Sequence, residues 1–194
     1  GAIPPSPIVS CLGRLKDVHL AVPMHFQKTD SVILMVGERK DELGGSVYYS
    51  LYGELGARVP KPNLDEVKNQ IFAITDCIDL GLILSCHDIG DGGIASALAE
   101  MTFRSCIGCK VNIESDLSPA KILFSETGGF VAETSRKNVN KVQSVLLYPG
   151  ANYYRTPPDI DEVSPGEYGL DFIIKSGRAL IWPAYKGSMN RITD

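Results

Sequence analysis

Residues 81–101 constrain the fold more than any other stretch of the chain. Gly81-Leu82-Ile83-Leu84-Ser85 is a short apolar run, long enough for one buried strand. Ile94, Ala97, Leu98 and Met101 then fall at i, i+3, i+4 and i+7, one face of a helix. Between them stands Cys86-His87-Asp88-Ile89-Gly90-Asp91-Gly92-Gly93, a Gly-rich strand-to-helix corner with an acidic tip. Glycines let a ligand approach the backbone closely, and the first amides of a helix lack internal partners and attract anions. Asp88 or Asp91 could hold a Mg²⁺ that bridges to a phosphate seated at Asp91-Gly92-Gly93. The same residues also read as a plain turn in which Asp91 caps the helix. The spacing is neither the dinucleotide fingerprint nor a P-loop.

The rest of the chain alternates in the same way. Residues 3–13 carry prolines at 4, 5 and 7, which forbid a helix, and Ile8 to Leu12 could be a strand with no partner of its own. Asp30 to Gly37 reads as a turn and a central apolar strand. Leu43-Gly44-Gly45-Ser46 leads into a short helix at 47–52, with Ser46 as cap and Gly44-Gly45-Ser46 as a second candidate anion nest. Asn63 caps a helix over about 64–79, with Asp65 and Glu66 in its first turn and Val67, Ile71, Ile74 and Ile78 on one side. A helix over about 92–103 follows the corner. A short strand is predicted at 110–113, a helix at 118–124 opened by Ser118-Pro119, a strand at 130–134 and a helix around 139–146. Tyr168–Ile174 and Ala179–Trp182 read as a hairpin, with a last short helix from Pro183. This order predicts an α/β (α+β) fold, a mixed sheet flanked by helices.

Charge and cysteines narrow the class. A net charge of −4 with no basic run gives no nucleic-acid footprint, and the apolar stretches are strand-length, so nothing is expected to span a membrane. The five cysteines suit a reducing compartment. Cys106-Ile107-Gly108-Cys109 has a metal-ligand spacing, but no second CxxC or paired His completes a zinc site. The first residue is Gly rather than Met, as in an expressed piece of a longer chain.

Four motifs occur in one order. His87-Asp88-Ile89-Gly90-Asp91-Gly92-Gly93-Ile94 with Ala97-Leu98-Ala99-Glu100-Met101 resembles the HDxSDGGLxxALAEM motif of phosphoribosylformylglycinamidine synthases. Ile3-Pro4-Pro5-Ser6-Pro7-Ile8-Val9 resembles their PPTPVIG segment, Glu42-Leu43-Gly44-Gly45-Ser46 their ELGGS loop, and Leu123-Phe124-Ser125-Glu126 their LFSES motif. The resemblance covers roughly residues 3–135. It implies the tail of a preceding A domain and a linker at 1–22, then a C-terminal B domain at 23–194 like that of aminoimidazole ribonucleotide synthetase. It further implies a cytoplasmic, ATP- and ammonia-dependent ligase that converts formylglycinamide ribonucleotide to the amidine in purine biosynthesis. The partners it implies are the preceding A and B domains, a glutaminase subunit and a small accessory subunit; an isolated fragment would be inactive and could self-associate through its exposed apolar face.

By pseudo-symmetry with the first half of such enzymes, Asp88 would face Mg²⁺. The Ser125-Glu126-Thr127 loop would lie beside an auxiliary ATP/ADP site, and no residue here would be catalytic. Two departures fit an auxiliary role: Gly90 stands where the motif has Ser, and Thr127-Gly128-Gly129-Phe130 replaces a Ser-x-x-Arg run, removing an anion-binding Arg. The alternatives are a non-catalytic nucleotide-binding or scaffold module of another superfamily member (hydrogenase maturation, selenophosphate synthetase, thiamine-phosphate kinase), or a stand-alone binding module.

Overall fold

The computed structural model describes residues 8–109, 111, 113, 115–147 and 178–182. Its centre is strand β1 (Val32–Val36), all five residues of which are buried. Such a run needs cover on both faces of the sheet, and it has it. β3 (Phe130–Thr134) pairs antiparallel with β1, and β2 (Ile83–Asp88) pairs antiparallel with β3. β4 (Arg178–Trp182) pairs parallel with β1, giving the order β2-β3-β1-β4. The sheet is therefore mixed, as the alternation of elements predicts.

Period-2 alternation splits the strands between two cores. Val32, Leu34, Val36 and Ala132 face α2 (Leu64–Asp79) and α5 (Val139–Leu147), with Ala73, Ile74, Cys77, Val142 and Val145 among the contacts. Ile33, Met35 and Val131 face the other way, against Ile94, Ala97, Leu98 and Met101 of α3 (Gly93–Thr102). These four are the α3 residues read from the i, i+3, i+4, i+7 spacing. The result is three layers, helix–sheet–helix.

Local sequence sets the boundaries. Asn63 Oδ1 accepts from the Asp65 and Glu66 amides and starts α2, and Gly81 at φ +66° allows the turn after it. Ser46 Oγ accepts from the Tyr49 amide and starts α1 (Val47–Ser50). Pro119 opens α4 (Pro119–Phe124). Tyr48 of α1 stacks on Phe124 of α4 with ring centroids 4.7 Å apart.

Three expectations are corrected. Ile8–Leu12 forms no strand: Ile8 and Leu12 are fully exposed, and none of the described residues offers that segment a ladder partner. Second, of the expected α2 face Ile74 is buried and Ile78 packs against the core, but Ile71 is 45% exposed and the buried set takes in Gln70, Ala73, Asp76 and Cys77 instead. The small side chains of Ala73 and Cys77 let the helix approach the sheet, and that rotates the bulkier Ile71 outward. Third, α1 ends at Ser50, so Tyr52 lies in the turn that follows. Of the strand expected at 110–113, Ile113 makes an isolated bridge. The expected strand 168–174 and the helix from 183 lie outside the described residues, whereas Ala179–Trp182 falls within β4.

Candidate functional site

The sheet brings three loops to one edge. Val36 and Asp88, the ends of β1 and β2, both stand opposite Phe130, the start of β3. Loops 37–46, 89–92 and 125–129 therefore converge. They carry Gly44, Gly45, Ser46, Asp91, Gly92, Ser125 and Glu126, and the other two candidate residues adjoin them, Asp88 as the last residue of β2 and Gly93 as the first of α3.

One side chain joins them. Glu126 Oε1 accepts from the Val47 amide at 2.8 Å and from the Gly92 amide at 2.9 Å. A single carboxylate oxygen thus takes the first amide of α1 and the N-cap amide of α3, while the Gly44, Gly45, Ser46 and Gly93 amides donate to backbone carbonyls. Carboxylate at a helix N-terminus is favourable for the reason phosphate would be: it satisfies orphan amides and the dipole.

Asp91 does not cap α3. The N-cap is Gly92 at φ +75° with no side-chain cap, Asp91 is exposed, and the capping oxygen comes from Glu126. Gly93, at φ +67°, has no room for a side chain: a Cβ there would lie 2.5 Å from the Leu123 carbonyl oxygen and 2.8 Å from that of Ser125. Gly90, by contrast, is open. The Ser hydroxyls point inward. Ser46 Oγ donates to the Leu43 carbonyl at 2.6 Å, and Ser125, fully buried, pairs with Thr127 Oγ1 at 2.7 Å. Thr127 in turn donates to Glu42 Oε2 at 2.9 Å. Gly44 is pressed against the Arg58 backbone, while Gly45 is exposed.

His87 and Asp88 diverge at the corner. His87 is mostly buried; its Nδ1 lies 2.7 Å from the Asp88 carbonyl and its Nε2 2.7 Å from Glu100 Oε2. Both ring nitrogens are thus engaged, Nδ1 within β2 and Nε2 tying β2 to α3, which leaves neither for general-base work. The Asp88 carboxylate is 77% exposed, with Oδ1 3.4 Å from His87 Nδ1. Among the described residues no group of three or more His, Cys, Asp and Glu converges as a metal cage. Mg²⁺ commonly takes one or two carboxylates, waters and substrate phosphates. Asp88 fits as the single carboxylate of such a phosphate-bridged ion and not as part of an all-protein site.

Sequence reading missed the supporting charges. Asp41 binds Lys121 at 2.9 Å and also Arg58; the Lys121 hydrogen bond, with Arg58 assisting, holds its carboxyl below the usual range. Arg39, buried beneath loop 125–129, was also passed over. The thiols carry no reactive signature: burial pushes Cys77 and Cys86 up to about 12 and raises Cys109. Among the described residues no helix is long and apolar enough to cross a membrane.

With this geometry in place, the relatives can be set beside it. The C-terminal domain family of AIR synthase related proteins matches residues 28–154. Over 184 residues, 93% of the chain, there is 34% identity to the phosphoribosylformylglycinamidine synthase subunit PurL of Methanothrix thermoacetophila, of which the chain covers 23%. The corresponding subunit of Thermococcus sibiricus is 35% identical over 150 residues, 74% of this chain and 21% of that protein. The chain thus spans less than a quarter of the length of these two relatives. Among solved structures, Thermotoga maritima PurL in complex with FGAR superposes with a TM-score of 0.58 at 19% identity, covering 67% of this chain and 24% of that one. PurLQS from the same organism gives 0.51 at 21% identity, covering 66% and 21%. That likeness is one of fold. The fold, the ordered motifs and the match over residues 28–154 agree: the chain belongs to the C-terminal domain family of AIR synthase related proteins.

Proposed function

We propose that this chain serves as an auxiliary C-terminal domain of a phosphoribosylformylglycinamidine synthase. In that reading the whole enzyme converts formylglycinamide ribonucleotide, ATP and ammonia to the amidine, in the cytoplasm, within purine biosynthesis. The observation that carries it is the 34% identity along 93% of the chain to a synthase subunit, with the corner motifs in the family's order. A related PurL is described in complex with FGAR, and PurLQS as an assembly. By extension, the partners here are the preceding A and B domains, joined through the segment before Pro23, together with a glutaminase and an accessory subunit.

The domain's own contribution is structural with one exposed ligand. No residue of the corner has the geometry of a catalyst: His87 is tied at both nitrogens, Glu126 is tied to two amides, and Ser46 and Ser125 face inward. The exposed Asp88 carboxylate would meet a Mg²⁺ carried by nucleotide phosphates, with Gly45 and Asp91 exposed on the neighbouring loops. The bound group would supply charge neutralisation on phosphate. Gly92 and Gly93 shape the wall, and Glu126 keeps it closed. The 194-residue chain alone is expected to be inactive.

The test uses the full-length protein with ATP, formylglycinamide ribonucleotide and ammonium. Amidine formation by the full-length protein, none by the 194-residue chain, and loss of retained nucleotide in full-length Asp88→Asn with kcat kept within a few-fold are the expected results. Turnover by the isolated chain, or no turnover by the full-length protein, would overturn the reading.

A further inference from the structure

Loop 125–129 has to hold the Glu126 carboxylate against two amides that belong to different elements. Its own sequence, Ser125-Glu126-Thr127-Gly128-Gly129, is polar and Gly-rich and has little intrinsic stiffness. The stiffness comes from below. Arg39, three residues past the end of β1, is 5% exposed. Its Nη2 donates to the Gly128 carbonyl at 2.7 Å and its Nη1 to the Ser125 carbonyl at 3.3 Å. Among the described residues no carboxylate lies within ion-pair distance of the guanidinium, and its Nε is buried with no partner. Desolvation pulls this group down to about 10, partly offset by the charge of Glu42, so it stays cationic at neutral pH.

A buried charge with no ion-pair partner is a costly space-filler. What it does here is specific. The two carbonyls it grips are at the two ends of the Ser125–Gly128 turn, and Glu126 stands between them. The loop packs too closely here for side chains: a Cβ on Gly129 would collide with the Val36 carbonyl oxygen and lie 3.1 Å from Nη2, and one on Gly37 would lie 3.0 Å from the Gly128 carbonyl. The sequence lacks an arginine at Phe130, where the resembling motif has one; Arg39 brings a guanidinium to the same loop from another element, and aims it at carbonyls rather than at an anion.

We propose that Arg39 is a positioning residue for Glu126: its planar fork fixes both ends of the 125–128 turn and thereby the place where the carboxylate meets the Val47 and Gly92 amides. A lysine, a point charge on a flexible stem, cannot span both carbonyls. This stands on the geometry of loop 125–129 and does not depend on the synthase reading.

The test is residue-resolved amide exchange on the 194-residue chain, comparing wild type, Arg39→Lys, Glu126→Gln and the double variant. Arg39→Lys should speed exchange at Val47 and Gly92 by about tenfold, the factor one charge-assisted hydrogen bond supports. Core amides at Val131 and Ala132 should stay within about two-fold. The double variant should add nothing at Val47 and Gly92 beyond Glu126→Gln. Unchanged exchange at those two amides, an equal loss through Val131 and Ala132, or full additivity in the double variant would overturn the assignment. Should Arg39→Lys not fold, the wild-type chain supplies the second readout. Separate ¹⁵N resonances for Nη1 and Nη2 of Arg39 mark a gripped fork, and a single averaged resonance would overturn it.

Discussion

Two glutamates do similar chemistry toward opposite ends of β3: Glu126 lies in the loop before it, and Glu133 is its fourth residue. Glu133 accepts from the Gln27 amide at 2.7 Å, the Lys28 amide at 3.0 Å and Ser85 Oγ at 2.8 Å. It is completely buried. Glu126 accepts from the Val47 and Gly92 amides, and it is only half-buried. Each is a carboxylate that ties backbone amides of a distant segment to the sheet. Depth separates them. Glu133 anchors the 23–28 segment, whose Pro23 carbonyl also accepts from Cys86 on the outer edge of β2, and so blunts a strand edge. Glu126 does its work at the rim, at the end of the sheet that carries the exposed Asp88. The interior glutamate is an anchor, and the rim glutamate is a closure.

The largest expected effect breaks the rim end at its backbone. Gly93→Ala forces a Cβ into the carbonyls of Leu123 and Ser125 at a positive φ, and should cost on the order of 4 kcal/mol or prevent folding. Solubility and urea denaturation check it. Next comes the anchor. Glu133→Ala removes the acceptor of the Gln27 and Lys28 amides and of the buried Ser85 hydroxyl, a loss of about 3 kcal/mol in urea unfolding. Glu126→Ala, at the half-exposed closure, should cost about 1–2 kcal/mol, the range of a lost helix cap. Equal costs for the two glutamates would abolish the distinction between anchor and closure. Asp88→Asn and Gly90→Ser change exposed positions with only loose contacts and should stay within about 0.5 kcal/mol of wild type.

The last effect is absent at neutral pH and appears only in alkali. The Cys77 and Cys86 thiols hold their protons to about 12 in the folded chain, against about 8.5 unfolded. The folded state then binds more protons than the unfolded one above that lower value. Their contribution to stability is flat below about pH 8 and declines as pH rises toward 12. Urea midpoints at rising pH should fall less steeply in the Cys77→Ala/Cys86→Ala chain.

Much of this was legible in the sequence because it is local. The corner, the α3 face at Ile94, Ala97, Leu98 and Met101, the caps at Ser46 and Asn63, and the bounds of α2 and β3 all follow from spacing and cap chemistry within a few residues. What was not legible is long-range or charged. The partners of Glu126 lie 79 and 34 residues away in sequence, so Glu126 reads as a loop acid near a cleft and not as the cap of two helices. Arg39 and Glu133 are charges in buried places, and patterning assigns charges to the surface. Glu133 carried a faint signal, a carboxylate inside the apolar run Phe130-Val131-Ala132-Glu133-Thr134. The β2–β3 register shift between Ile83 and Ser85, which sets Ser85 opposite Glu133, left none. On α2, bulk drew attention to Ile71, while the small Ala73 and Cys77 did the packing.

Calorimetric titration of the 194-residue chain with Mg·ADP tests the closure most directly. With both corner amides held by Glu126, no saturable heat is expected, and Asp88→Asn should change nothing. Saturable binding by the wild-type chain, abolished in Asp88→Asn, would mean that the corner opens to phosphate by itself and that Glu126 is not its closure.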